Sequence, residues 1–148
     1  MTEAVIEIGN ILHWDGFKLS DGTLGHKFFV VVGAQPDKNY LVVRATSKVK
    51  HRNYVPGGNP DGGWYHIPGG GKDWFKLDTW LLFDDPEELS AKELLDLKSK
   101  GGIKIVGNLR HDIANAISNC MKKCEDVSEY HKTLLGPPRQ SAPKKVIK

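Results

Sequence analysis

Polar and cationic side chains stand at the ends of two apolar segments that follow each other in the chain, residues 28–32 and 41–43. Five residues with chemically useful groups lie at the start of the first segment and after the second: His26, Lys27, Arg44, Thr46 and Ser47. Antiparallel strands joined by a short turn bring these two ends side by side. An imidazole, two cations and two hydroxyls at one rim are groups suited to a phosphodiester.

Length and composition predict one globular domain. The chain has 148 residues, of which 39% are hydrophobic, enough to bury a core without disulfides. We assign the domain to residues 1–135 and expect a basic disordered tail at residues 136–148. No apolar run reaches the roughly 18 residues of a membrane span. Residues 1–4 carry no signal-peptide pattern, so we expect a cytoplasmic protein without membrane contact.

The apolar pattern predicts a mainly β fold with helices at its C-terminal end, of the α+β class. Strand-length runs occur at residues 8–14, 28–32, 40–45, 64–67, 74–77 and 79–83. The run at 28–32 is continuous and lies between glycines, which predicts a central strand covered on both faces. We expect five or six antiparallel strands forming a small curled barrel.

The last third of the chain changes to helical spacing. Ser90 and Glu93 have the spacing of a capping box, which predicts a short helix through Leu97, followed by a short strand at residues 103–107. Asn108 is predicted to cap one long helix packed on the barrel. Its apolar stripe has three-and-four spacing and consists of Leu109, Ile113, Ala116, Ile117, Cys120, Cys124 and Val127.

Cys120 and Cys124 are the only cysteines. A zinc site would need about four ligands, and on an apolar stripe two cysteines behave as small hydrophobic residues. We therefore predict that both lie in the core, with no metal and no cofactor. His13 is interpreted in the same way, as a packed strand histidine, with a position at the rim as the alternative.

The order and spacing of several motifs over roughly residues 8–125 resemble the toxin family typified by MazF and PemK, the endoribonucleases of bacterial type II toxin–antitoxin pairs. That family has a Gly-Asp-Ile-Val-type first strand, matched at residues 9–12, and a Gly-His-Arg-Pro-type segment, matched at residues 25–28. Its next strand ends in Thr-Ser, matched at residues 46–47. A later Ser/Thr-aromatic strand before an acidic residue is matched at residues 79–84.

The resemblance implies an SH3-like barrel, a homodimer, metal-independent cleavage of single-stranded RNA by the 2′-hydroxyl, and a cognate antitoxin that blocks the RNA groove. Carried over by position, Lys27 takes the place of the catalytic arginine and Thr46 that of the active-site threonine. The departures are Lys27 itself, since lysine lacks the planar fork of arginine, and Phe28 in place of proline. The family's later arginine and aspartate have no clean counterpart near residues 85–87.

The chemistry of such cleavage suggests a role for each residue. His26 is predicted to transfer protons, because the reference pKa of histidine is about 6.5. Lys27 and Arg44 are predicted to stabilise the charge of the phosphorane. Thr46 and Ser47 are predicted to donate hydrogen bonds to the phosphate. The competing interpretation is a solvated strand end with ordinary surface residues.

The polar segment that follows combines cations with aromatic rings, which is typical of single-stranded RNA binding. The predicted RNA-binding residues are Ser47, Lys48, Lys50, Arg52, Trp64 and Tyr65. A flexible insert held to the core by its tryptophan is the alternative.

Two further functions stay open. One is a catalytically silent SH3-like module that binds RNA or protein, which the missing arginine favours. The other is a ligand-binding or structural barrel unrelated to nucleic acid.

Overall fold

The computed structural model describes residues 6–19, 21–48, 53–70 and 73–137. The strands are β1 (Asn10–Lys18), β2 (Leu24–Gly33), β3 (Tyr40–Thr46), β4 (Gly57–Asn59), β5 (Trp64–Ile67), β6 (Thr79–Leu89) and β7 (Ile103–Asn108). The helices are α1 (Ala91–Ser99), α2 (His111–Lys123) and α3 (Glu129–Leu134). The strands form one antiparallel sheet in the order β4-β5-β6-β3-β2-β1-β7.

Strand β2 lies near the middle of the sheet and is covered on both faces, as its continuous apolar run predicts. Val30 and Val32 belong to a core cluster that includes residues of α2 and α3. Phe29 and Val31 belong to a second cluster that includes Leu94 of α1. Because side chains alternate along a strand, a single apolar strand supplies both cores.

Helix α1 begins at the predicted capping box. The Ser90 hydroxyl accepts a hydrogen bond from the backbone N–H of Glu93 at 3.0 Å. The Glu93 carboxylate accepts one from the backbone N–H of Ser90 at 2.8 Å. These two bonds satisfy amides that the first turn of a helix leaves free, and the helix continues two residues beyond the predicted end at Leu97.

The predicted long C-terminal helix is divided into two shorter ones. Asn108 does not cap a helix; it ends β7, and its side-chain oxygen accepts a hydrogen bond from the side chain of Asn10 on β1. Helix α2 begins at His111, after Arg110, and ends at Lys123, before the extended Cys124. Helix α3 has its own cap, since the Ser128 hydroxyl accepts from the N–H of His131 at 3.0 Å.

The described sheet is open rather than closed into a barrel, with β4 and β7 at its edges. The run at residues 74–77, predicted as a strand, forms bends instead, while the glycine-rich β4 escaped prediction because its sequence lacks apolar residues. Strand β6 extends through residues 84–88, four of which are acidic, after a register shift opposite Val42 and Arg44. Such bulges bend and twist a sheet.

The two cysteines lie in the core, as their position on the stripe predicts. Both are buried and unpaired. Burial, with a smaller contribution from Cys124, raises the pKa of the Cys120 thiol to about 11. A thiol with so high a pKa carries little of the reactive thiolate at neutral pH.

Within the described residues, no helix has the length and apolar content needed to cross a membrane.

Adjacent leucines on α1 provide a matched test of the second core cluster. The side chain of Leu94 is 1% exposed and that of Leu95 is 51% exposed. We expect Leu94→Ala to lower the free energy of unfolding by about 2–5 kcal/mol, because it leaves a cavity under the sheet. Leu95→Ala should change it by no more than about 0.5 kcal/mol. Equal effects in denaturant titrations would contradict this packing.

The burial of the cysteines predicts slow modification. At about pH 8, an aromatic disulfide reagent should react with the folded protein at least about tenfold more slowly than with the same chain in guanidinium chloride. Reaction of either thiol at the unfolded rate would show that this thiol is not packed in the core cluster.

Candidate active site

An open cavity of about 670 Å³ lies where β2 begins and β3 ends. Three stretches of chain form its wall: residues 26–28, residues 45–48, and residues 74–77 with Thr79. Of the described residues that line it, three are lysines (Lys27, Lys48 and Lys76) and none is acidic. The lining therefore presents positive charge to any ligand that enters, which favours an anion.

Lys27 and Thr46 come together in this cavity. The register pairs Phe28 with Ala45, so each of the two residues lies one position beyond that pair on its own strand. Side chains alternate across a sheet, and this places Lys27 and Thr46 on the same face. These two residues therefore lie together at the rim, as the hairpin predicts. Ser47 and Lys48, predicted to bind RNA, line the same cavity.

His26 lines the cavity and is joined to a second histidine that sequence reasoning had interpreted as packed. The Nδ1 atom of His26 lies 3.2 Å from the Nε2 atom of His13, at an exposed position. His13 lies opposite Phe28 in the β1–β2 register, so it is the diagonal neighbour of His26 on one face. The His13 ring also lies 5.1 Å, centroid to centroid, from the ring of Phe28.

Strand periodicity in the sequence indicates the face of the sheet on which His13 lies. Residues 11, 13 and 15 of β1 share one face, as do residues 26, 28 and 30 of β2. Finding the histidine pair requires the register between the two strands, and a bulge between Asp15 and Phe17 is invisible in the apolar pattern.

Arg44 is not among the residues that line the cavity. Its guanidinium lies 3.5 Å from the carboxylate of Asp84, and its side chain is 31% exposed. An exposed ion pair of this kind contributes little to stability. It does place a carboxylate of β6 beside the guanidinium of Arg44. Of the two predicted charge-stabilising residues, only Lys27 faces the cavity.

The two aromatic residues predicted to stack on RNA bases do not line the cavity either. Tyr65 is 7% exposed and belongs to the core, and burial raises the pKa of its phenol. Trp64 is half-buried, and its indole N–H is buried with no hydrogen-bond partner among the described residues. Lys50 and Arg52 lie outside the described residues.

A different aromatic pair, Trp74 and Phe75, takes part in the cavity wall. Trp74 is 38% exposed, and its ring lies 5.3 Å from the ring of Phe28. It also lies against Gly107 of β7, where an added Cβ would be 2.4 Å from the indole ring. Residues 74–77 were predicted as a strand from their apolar side chains. That prediction did not identify the exposed indole of Trp74 as part of a cavity lined by three lysines.

A smaller cavity of about 320 Å³ lies beside β5 and the start of α2. Asp73 and Arg110 line it and form an ion pair, with Arg110 Nε 3.1 Å from Asp73 Oδ1. The pair raises the pKa of the arginine. Because its cation is already paired with a carboxylate, this cavity is less suited to an anion than the larger one.

No protein-family model, no curated protein and no solved structure matches this chain. Within the described residues, no group of three or more His, Cys, Asp or Glu side chains could hold a metal ion.

Proposed function

We propose that this protein is a metal-independent endoribonuclease that cleaves single-stranded RNA in the cavity between β2 and β3. The observation that carries the proposal is the meeting of His26, Lys27 and Thr46, from two strands, in one cavity with a cationic lining. An RNA backbone carries one negative charge per phosphate and is attracted to clustered lysines. The described lining offers it no carboxylate to repel it.

The reaction uses groups that the cavity contains. The ribose 2′-oxygen attacks the adjacent phosphorus, the bond from phosphorus to the 5′-oxygen breaks, and the products are a 2′,3′-cyclic phosphate and a 5′-hydroxyl. His26 accepts the proton of the 2′-hydroxyl and returns it to the departing 5′-oxygen. Lys27 stabilises the negative phosphorane, and the hydroxyls of Thr46 and Ser47 donate hydrogen bonds to its oxygens.

The aromatic side of the cavity supplies a surface for a base. Trp74 is 38% exposed and lines the cavity together with Lys76 and the ends of β2 and β3. Bases of single-stranded RNA stack on such rings with little dependence on sequence. Cations for the phosphates and a ring for one base are thus available within the same cavity.

The proposal extends to the resemblance with the MazF/PemK toxins. In that form the protein is the toxin of a type II toxin–antitoxin pair, acts in the cytoplasm as a homodimer, and is inhibited by an antitoxin that occupies the RNA groove. Support comes from the shared position of Lys27 and Thr46, and from register shifts in the β1–β2, β2–β3 and β3–β6 pairs, which favour a curled sheet.

A second function from another class, RNA binding without cleavage, is favoured by one observation. The guanidinium of Arg44 is paired with Asp84, so the cavity relies on an ammonium group where a bidentate guanidinium would grip phosphate better. Incubation of a long RNA with the protein in EDTA separates the two functions. Discrete cleavage products support the enzyme, whereas a mobility shift with intact RNA supports the binding module.

Replacement of Lys27 or Thr46 should greatly slow RNA cleavage and leave the fold intact. Lys27→Ala and Thr46→Ala are each expected to lower the cleavage rate by about 10²–10³-fold, because each removes stabilisation of the transition-state charge. Lys92→Ala, on the exposed face of α1, is the matched lysine control and should cleave at the normal rate. Lys27→Arg should retain activity. Undiminished cleavage in both alanine variants, with unchanged thermal melting, would contradict the site.

Trp74 gives a test of base stacking that is independent of the chemical step. Trp74→Ala should weaken binding of a short single-stranded RNA by about 1–3 kcal/mol, while Trp74→Phe should keep most of the affinity. Fluorescence anisotropy with a labelled RNA that carries no cleavable 2′-hydroxyl measures this directly. Equal affinity of the alanine variant and the parent protein would remove Trp74 from the RNA site.

A further inference from the structure

We propose that His13 is a positioning residue, which accepts a hydrogen bond from Nδ1–H of His26 and so leaves Nε2 of His26 as the proton acceptor toward the cavity. The geometry is the 3.2 Å contact between Nε2 of His13 and Nδ1 of His26. The consequence for catalysis rests on the proposed ribonuclease function. The class of substrate group involved is a ribose hydroxyl.

The contact restricts the protons of both rings. One nitrogen of each histidine is engaged, and a hydrogen bond needs one donor and one acceptor, so only one of the two facing nitrogens carries a proton. The state of Nδ1 then determines the other nitrogen of His26. If Nδ1 donates, neutral His26 has a lone pair on Nε2 and can act as a base. If Nδ1 accepts, Nε2 carries the proton and cannot.

Neighbouring charges favour the first arrangement. Asp15 lies directly opposite His26 in the β1–β2 register, and Lys104 lies directly opposite His13 in the β1–β7 register. Directly opposed residues on one face have Cβ atoms about 4.5–5.5 Å apart. With Asp15 opposed to the donor ring and Lys104 opposed to the acceptor ring, the charges favour a hydrogen bond in which His26 donates and His13 accepts. Lys27 is next to His26 in sequence, so its side chain leaves β2 on the other side of the strand, although both residues line the cavity near the start of β2.

The same hydrogen bond also stabilises His26 when it takes up a proton during the reaction. When Nε2 of His26 takes the proton of the ribose hydroxyl, the ring becomes a cation whose Nδ1–H already has an acceptor in His13. No reorientation is needed, and the positive charge is stabilised by a bond formed beforehand. His13 then has the same relation to His26 that the carboxylate has to the histidine of a hydrolytic triad, and it acts through His26 without touching RNA.

The test replaces His13 and reads the ring protons of His26 by long-range nitrogen–proton NMR. The parent protein should show the proton of neutral His26 on Nδ1. His13→Phe keeps the ring contact with Phe28 but removes the acceptor, so the proton should move to Nε2. His13→Gln keeps an acceptor oxygen at that position, so Nδ1 should retain the proton. Asp15→Asn keeps the acceptor and removes the opposed charge, so the fraction of neutral His26 with its proton on Nδ1 should fall but stay above that of His13→Phe.

Cleavage kinetics supply the second readout, with thermal melting to confirm that each variant is folded. We expect His13→Phe to lower kcat by about 10²-fold with little change in KM, and His13→Gln to recover at least a tenth of the parent rate. His111→Gln, on α2, is the control for the substitution itself. A parent protein with its proton on Nε2, or a His13→Phe variant whose proton stays on Nδ1, would overturn the inference.

The two proposals fail in distinguishable ways. If the proton moves as expected but the parent protein leaves RNA intact in EDTA, His13 does control the tautomer of His26 and the ribonuclease function is wrong. If the proton moves and His13→Phe cleaves RNA at the parent rate, the ribonuclease function stands and the positioning role of His13 is overturned.

Discussion

The antiparallel register of the central strand β2 with its two neighbours determines where the functional side chains lie. Val30 and Val32 belong to the core that includes residues of α2, while Phe29 and Val31 belong to the core that includes Leu94 of α1. A slip of one residue would exchange these faces and bury the wrong side chains. Both cores therefore hold β2 in one register, and the same register brings Lys27 and Thr46 to one cavity.

The groups that line the cavity come from two kinds of segment, the ends of regular strands and an irregular stretch of chain. His26, Lys27 and Thr46 come from the ends of strands, whose positions are held by ladder hydrogen bonds and by burial of the strands behind them. Its aromatic residues come from an irregular segment, in which Phe75 is buried and Trp74 lies against Phe28 and Gly107. Absence of a side chain at Gly107 is what allows the indole to approach β7, so the wall depends on a glycine that itself has no chemistry.

Local patterns predicted those features that depend on a few consecutive residues. The continuous apolar run of β2 indicated a strand covered on both faces, and the Ser90–Glu93 spacing indicated a capped helix. Lys27 and Thr46 could be placed together because antiparallel strands joined by a short turn bring the start of the first strand beside the end of the second. The features missed depend on contacts between distant segments. Asn108 has the right type for a cap, but its side chain is engaged with Asn10 across the sheet.

Contacts between distant segments also determine where several residues of the candidate site lie, and local sequence patterns do not indicate such contacts. His13 was interpreted as a packed strand histidine, with the rim as the alternative, because its relation to His26 appears only through the register of β1 with β2. Tyr65 has the composition of a base-stacking residue, yet strand alternation turns it into the core. Arg44 and Lys27 are equivalent in charge, and the difference between them arises from Asp84, forty residues later in the chain.

The central claim is that Lys27 and Thr46 act on one phosphate of a single-stranded RNA. A crystal structure of the protein with a single-stranded RNA whose 2′-hydroxyls are methylated, and which therefore cannot be cleaved, tests it most directly. The account predicts one phosphate whose oxygens lie about 3 Å from both Lys27 Nζ and Thr46 Oγ1, with a base against Trp74. RNA bound on another face of the protein, with neither side chain touching a phosphate, would contradict it.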